Sequence, residues 1–115
     1  MHLLSATELV AGYRSGALSP VDATEAVLAR VAAWEPHLHA MYALDPEAAR
    51  EAARGAAARW ARGEPLGPLD GVPVTVKENI ATRGVPVPLG TAASELVPAL
   101  ADAPPAARLR EAGAV

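Results

Sequence analysis

The chain has 115 residues, no cysteine, two tryptophans and a formal charge of −3. This length corresponds to one domain or part of one, and a hydrophobic fraction of 51%, much of it alanine, excludes a disordered chain but predicts a modest core. The lack of cysteine excludes disulfides, Cys-ligated zinc and thiol catalysis, and the lack of a basic block argues against nucleic acid or an anionic membrane as a partner.

The N-terminal segment, MHLLSATELV, has neither a basic region nor an apolar run of signal-peptide length. No stretch elsewhere approaches the roughly 18 consecutive apolar residues that a membrane span needs. We therefore expect no signal peptide, no membrane association and a cytoplasmic location.

Two short helices are predicted first, and they form a helical hairpin. Ser5 and Glu8 have the spacing of a capping box, and Gly16 ends the first helix. The second helix begins after Ser19, with Pro20 at its first position, and is predicted to end at Pro36. Its apolar stripe consists of Val27, Leu28, Val31 and Trp34.

The next segment, HAMYAL at residues 39–44, is short and apolar, and a buried strand is one interpretation of it. Asp45 and Pro46 then begin a third helix that runs to Gly63. Its alanine content favours a helix, and glutamate–arginine pairs follow one another along it: Glu47 with Arg50, and Glu51 with Arg54.

A turn-rich connection at 63–71 precedes a predicted strand at 72–77, VPVTVK. Alternation places Val72, Val74 and Val76 on one face and Pro73, Thr75 and Lys77 on the other. If the valine face packs on helices, Lys77 emerges near the end of the strand on the opposite face. Lys77 is the only lysine among the ten basic residues of the chain.

Residues 82–93, TRGVPVPLGTAA, contain prolines and glycines at a spacing that neither a helix nor a central strand tolerates. We predict an ordered loop or an edge segment there. A last short helix follows, with Asp102 near its N-cap, prolines in its first turn and Gly113 at its C-terminal end. Because an apolar run begins immediately after Gly113, we expect the chain to be truncated within its domain.

Three segments together identify the chain as resembling the amidase signature family: GPLDGVPVTVKENI, TRGVPVPLGTAA and DAPPAARLREAGAV. The hairpin segment SPVDATEAVLARVAAWEPHLHAM is similar in style and order to the opening of that family, so the resemblance covers nearly the whole chain. Its most specific element is Gly-Val-Pro-Val at 71–74 with Lys77 after it.

The resemblance implies an α/β fold, with a mixed β-sheet covered by helices on both faces, of which residues 1–115 are the helix-rich N-terminal portion. It implies hydrolysis of carbon–nitrogen amide bonds by a Ser–cis-Ser–Lys triad, in which Lys77 is the catalytic lysine and is held neutral. A lysine can act as a base only after losing its proton, and burial away from acids favours that loss. A neutral amine then helps to activate a serine hydroxyl.

Only the lysine of the implied triad is present. The family's serines lie in a Gly/Ser-rich segment that this chain lacks, and the four serines here are Ser5, Ser15, Ser19 and Ser94. The first three are predicted at helix ends, and Ser94 has no flanking glycine to expose a nucleophile. Glu78 stands where the family often has aspartate, and its carboxylate must point away if Lys77 is to be neutral. We therefore expect the isolated chain to be inactive.

Two alternatives stay open: a fragment similar to the A-type component of a glutamine amidotransferase, and a non-enzymatic product of a truncated gene. No cofactor and no metal are expected, because the His37–His39 pair has no third ligand at a convincing spacing. A small-molecule amide is the expected substrate of the complete enzyme. Exposed strand edges also predict self-association of this chain.

Overall fold

Four helices account for the regular secondary structure of the computed structural model, which describes residues 1–115. They are α1 (Ala6–Ser15), α2 (Pro20–Leu38), α3 (Pro46–Ala61) and α4 (Pro104–Glu111). Helix α2 packs on both α1 and α3. None of the four combines the length and apolar character that a membrane crossing requires.

The predicted N-terminal hairpin is confirmed. Ser5 caps α1, with its hydroxyl accepting from the Glu8 N–H at 3.3 Å and its own N–H donating to the Glu8 carboxylate at 2.7 Å. Gly16 follows in the left-handed conformation, φ 74°, which ends the helix. Ser19 then caps α2 through the Val21 N–H.

The predicted end of α2 at Pro36 is wrong, because the helix continues to Leu38. A proline near the C-terminal end removes only one backbone donor, and the remaining turn is closed by the His39 N–H, which donates to the Glu35 carbonyl at 2.9 Å. His39 adopts a left-handed conformation, φ 48°, and the Glu35 carboxylate accepts from the Met41 N–H at 2.8 Å.

The interpretation of residues 39–44 as a buried strand is also wrong. The segment is irregular, and only Met41 within it is even partly buried. The third helix is confirmed: Asp45 caps α3 through the Ala48 N–H at 2.9 Å. Both predicted ion pairs, Glu47–Arg50 and Glu51–Arg54, form at 2.6 Å on its exposed surface.

Residues 72–77 are extended but do not form a regular strand. Their pairing is confined to the last residue of the chain: the Val115 N–H donates to the Val72 carbonyl at 2.9 Å, and the Val74 N–H donates to the Val115 carbonyl at 2.8 Å. A residue bonded to two alternate residues of its neighbour is the pattern of a parallel pair. The segment therefore has one neighbour, but the pairing is too short to define a sheet.

Helix α4 forms as predicted, with Gly113 in the left-handed conformation behind it, φ 85°. Asp102 lies next to the N-cap, as predicted, but the N-cap itself is Ala103, which makes no side-chain bond. The Asp102 carboxylate instead accepts from the Arg83 N–H at 2.8 Å and from Arg110 Nε at 2.9 Å. It thereby connects the loop after residue 82 to α4.

The core is small, as the composition predicts. Four of its seven buried hydrophobic residues are alanines, and each buries little apolar area. Its larger members are Leu9 and Tyr13 of α1 and Val72 of the extended segment, which pack together with Ala23 of α2. The core therefore joins the helical hairpin to the segment that carries Lys77.

Candidate functional site

The segment leading to Lys77 is held at its beginning by α1 and α2. The Tyr13 hydroxyl donates to the Gly71 carbonyl at 3.1 Å, and burial raises the pKa of Tyr13 to about 12. Gly71 has φ 83°, and a Cβ built on it would lie 2.7 Å from Cγ of Pro20. Only glycine tolerates the positive φ and leaves room for Pro20, so Gly71 sets the direction in which the extended segment leaves the core.

Asp70 provides a second anchor immediately before that glycine. Its side chain is fully buried and accepts two hydrogen bonds from Arg59, at 2.9 and 2.6 Å, and one from the Leu66 N–H at 2.9 Å. Burial alone would raise the pKa of Asp70, but these hydrogen bonds outweigh that effect and leave the pKa below its usual value. The Trp60 indole also donates to the Asp70 carbonyl at 3.0 Å.

Val72 and Val74 pack against the core, as predicted for the valine face, whereas Val76 is 36% exposed. Beyond Val74 the segment forms one side of a groove of about 750 Å³. Helix α2 forms another side, through three of the four residues of its predicted apolar stripe, whereas Trp34 lies outside the groove. Residues on these sides include Val27, Leu28 and Val31 of α2, Ala40–Leu44, and Pro73–Glu78.

The groove contains one buried hydroxyl with no partner. Thr24 of α2 is 2% exposed and lines the groove, and its Oγ1 makes no hydrogen bond. A buried hydroxyl without a partner is unfavourable. The groove therefore offers an unpaired hydroxyl among largely apolar walls.

Lys77 lies on the wall of this groove and is exposed. No carboxylate oxygen lies within 4.0 Å of its amine, since none of the seven ion pairs of the chain includes it. Two acidic residues also line the groove, and both are bonded to backbone N–H groups: Asp45 to Ala48, and Glu78 to Leu89. The arrangement keeps acidic partners away from the amine.

Glu78 points away from Lys77, as the resemblance requires. Its Oε1 accepts from the Leu89 N–H at 2.6 Å, a short bond of the charge-assisted kind. Leu89 has φ 54°, which costs a non-glycine residue about 1–2 kcal/mol. The predicted loop at 82–93 is confirmed, and its tip is held in a strained conformation by the residue that follows Lys77.

The serines of the chain do not approach Lys77. Ser5, Ser15 and Ser19 lie at helix ends, as predicted. The Ser94 hydroxyl donates to the Pro88 carbonyl at 2.7 Å and does not line the groove. The structure thus brings together a lysine and an apolar groove, without a nucleophile.

Three features of the site were not identified from the sequence: the Arg59–Asp70 pair, the Glu78–Leu89 bond and the free Thr24 hydroxyl. The sequence places Asp70 only in a turn-rich connection, because nothing in PLDG indicates that an arginine eleven positions earlier faces it. The charge of Glu78 beside Lys77 predicts where its carboxylate cannot point, but it does not predict the Leu89 N–H as its partner.

The Amidase family model matches residues 22–115. The chain is 44% identical over 91 residues to the A-type component of glutamyl-tRNA(Gln) amidotransferase from Chloroflexus aggregans, a match that covers 79% of this chain and 19% of that protein. It thus spans about a fifth of the length of this curated relative.

Solved structures are similar over nearly the whole chain. Native peptide amidase from Stenotrophomonas maltophilia has a TM-score of 0.87 and 32% identity, covering 98% of this chain and 23% of that one. A structure described as a vestigial complex revealing the evolutionary origins of an s-triazine catabolic enzyme has a TM-score of 0.89 and 37% identity, covering 97% of this chain and 25% of that one. Together with the family match, these similarities show that the chain belongs to the amidase signature family.

Proposed function

We propose that residues 1–115 are the lysine-bearing N-terminal portion of an amidase-type hydrolase that cleaves small-molecule amides by Ser–cis-Ser–Lys chemistry. Lys77 is the catalytic lysine, and both serines come from a Gly/Ser-rich segment outside these residues. The observation that carries the proposal is the setting of Lys77 at an apolar groove, where each neighbouring carboxylate is bonded to a backbone N–H. A lysine kept apart from acids loses its proton more readily than one in an ion pair.

The proposal divides the catalytic groups between two parts of a protein, and this division can be tested. We expect the isolated chain to hydrolyse no amide, because it has no activated serine. We expect activity when residues 1–115 replace the equivalent portion of the Stenotrophomonas maltophilia peptide amidase, which is similar over 98% of this chain. The measurement is the rate of peptide amide hydrolysis by the isolated chain and by the chimera, at matched concentrations.

A chimera of the same design that carries Lys77→Ala serves as the control for contaminating amidase. Amide hydrolysis by the isolated chain that disappears in its own Lys77→Ala variant would contradict the proposal. A folded chimera without activity would show that this groove cannot support the chemistry.

The second candidate function is that of the A-type component of a glutamine amidotransferase. The curated relative from Chloroflexus aggregans and a second from Thermobifida fusca, 44% identical over 115 residues, carry that name. Such a protein would use glutamine as its amide. A second chimera, in which residues 1–115 replace the equivalent portion of the Thermobifida fusca protein, distinguishes the two functions. Release of ammonia from glutamine by this second chimera, without peptide amide hydrolysis by the first, favours the second function.

We also propose that the isolated chain self-associates through the extended segment. The backbone N–H groups of Thr75 and Val76 donate no hydrogen bond, and the groove beside them is lined largely by apolar residues. Unpaired strand edges next to apolar surface favour pairing with a second strand. Sedimentation over a wide concentration range should therefore show a mass that rises with concentration.

A charge placed on the edge should prevent that association. We expect Val76→Lys to remain monomeric, whereas Leu66→Lys, which changes an exposed leucine outside the groove, should associate like the unchanged chain. A monomeric mass for the unchanged chain at every concentration, or equal effects of the two substitutions, would argue against this surface.

A further inference from the structure

The loop at 82–93 lines the groove through Thr82 and Val85–Val87 and is attached firmly at its base. The Gly84 N–H donates to the Ala99 carbonyl at 2.9 Å, and the Ala99 N–H donates to the Val85 carbonyl at 3.1 Å. Pro86 forms an antiparallel bridge with Pro98, and the Arg83 N–H donates to Asp102. These contacts connect the base to the segment before α4, and none of them involves the segment that carries Lys77.

The tip of the loop is a tight turn formed by Pro88–Thr91. The Thr91 N–H donates to the Pro88 carbonyl at 3.2 Å, and the two central residues have positive φ: 54° at Leu89 and 70° at Gly90. Positive φ at both positions is the signature of a type I′ turn. Glycine suits this turn, but leucine does not, and 69% of Leu89 is exposed, so burial of its side chain does not explain the conformation.

Glu78 supplies the contact that holds this tip. Its bond from the Leu89 N–H, at 2.6 Å, is the only hydrogen bond between residues 86–94 and residues 71–80. The carboxylate is adjacent in sequence to the amine of Lys77, yet it is directed to the turn. Strained backbone persists where surrounding contacts determine it, and such residues concentrate at functional sites.

We propose that Glu78 is a positioning residue. It fixes the Pro88–Thr91 turn, and with it the preceding Val85–Val87 that line the Lys77 groove, and thereby keeps its own carboxylate off the lysine amine. This inference rests on the proposed role of Lys77. One hydrogen bond has two effects. The Leu89 N–H directs the Glu78 carboxylate away from Lys77, and the carboxylate holds the turn in place. A residue without an acceptor oxygen at position 78 would not hold the turn, and a freely moving carboxylate could approach the amine.

The single lysine makes the test direct. Labelling lysine at Cε with ¹³C gives one NMR signal, which reports the surroundings of the Lys77 amine, and ¹⁵N-leucine labelling reports the Leu89 amide. In Glu78→Ala we expect hydrogen exchange of the Leu89 amide to be on the order of tenfold faster. In Glu78→Gln, which retains an acceptor oxygen of the same reach, exchange should stay within about threefold of the unchanged chain.

The lysine signal tests where the charge of Glu78 lies. If the carboxylate is turned away, Glu78→Gln should leave the ¹³Cε signal of Lys77 at its position in the unchanged chain, because the two groups do not pair. A displaced lysine signal in Glu78→Gln would place the carboxylate on the amine and overturn the proposal. Equal exchange of the Leu89 amide in Glu78→Ala and the unchanged chain would also overturn it.

Activity of the chimera tests the positioning role separately. We expect Glu78→Ala to lower kcat/KM on the order of 10-fold to 100-fold and Glu78→Gln to restore most of it, since a displaced wall disturbs the reacting geometry. An active chimera that is indifferent to Glu78→Ala overturns the positioning role and leaves the proposed function intact. If the chimera is inactive, the proposed function fails, and the two NMR measurements on the 115-residue chain still decide whether Glu78 holds the turn.

Discussion

Replacing Lys77 by alanine in the active chimera should lower kcat/KM by about 10²–10⁴-fold, the usual effect of removing a general acid–base group. Fold stability should change little, because the side chain is exposed and forms no ion pair. The loss should appear in kcat, since the lysine is proposed to act on a proton in the transition state and not to bind the substrate.

Lys77→Arg is the sharper variant of this experiment. Arginine keeps the positive charge and the approximate length of the side chain, but its guanidinium does not lose a proton at accessible pH. We therefore expect Lys77→Arg to be nearly as inactive as Lys77→Ala. Activity within about tenfold of the unchanged chimera would mean that position 77 supplies charge and not a base, which would refute the proposed chemistry.

The largest effect on stability is expected at Asp70. In Asp70→Asn the side chain keeps its shape, but one carboxylate oxygen that accepts from Arg59 or Leu66 becomes an NH₂ donor facing a donor. The Arg59 guanidinium, 24% exposed, is then left with an incomplete partner. We expect the free energy of unfolding to fall by about 2–4 kcal/mol, a large part of the stability of a small domain.

Urea denaturation, followed by the fluorescence of Trp60, which bonds to the Asp70 carbonyl, measures this change. Glu64→Gln provides a matched control, because it neutralises a carboxylate that pairs with Arg62 on the exposed surface. The control should change stability by less than about 1 kcal/mol. Similar losses for the two variants would show that burial of the Asp70 pair has no special role.

The contribution of Asp70 to the free energy of unfolding should also depend on pH in a defined direction. The pKa of Asp70 is lower in the folded protein than its ordinary 3.8, so protonation disfavours the folded state. The stability that the ionised group contributes is complete at neutral pH and is lost as the pH falls through the lowered folded-state value. The difference in free energy of unfolding between the unchanged chain and Asp70→Asn should therefore be constant from pH 7 to about pH 5 and should shrink in stronger acid.

Local sequence signals predicted most of the helical structure. Serine and aspartate at N-caps, proline at first helical positions and glycine after last positions act over three or four residues, and they placed the starts of α1, α2 and α3 correctly. The same local reasoning failed at Pro36, where one missing donor was too small a penalty to end a helix already near its end. It failed again at 39–44, where an apolar run without a partner stays irregular.

The extended segment shows a different limit of sequence reasoning. Alternation correctly placed Val72 and Val74 against the core. A strand, however, is defined by hydrogen bonds to another chain segment, and alternation carries no information about such a partner. Here the partner is Val115 alone, so the segment stays extended without becoming part of a regular sheet.

The sequence by itself determined the helices, the family and the position of the lysine, because capping, periodicity and a short motif are all local patterns. Tertiary structure alone decided that Arg59 meets the buried Asp70, that Glu78 turns to Leu89, and that the apolar stripe of α2 faces a groove. Those contacts join residues distant in sequence, and several chain paths would satisfy the same local pattern. The surroundings of Lys77 therefore follow from the packing of the chain, while its presence at position 77 is readable from the sequence.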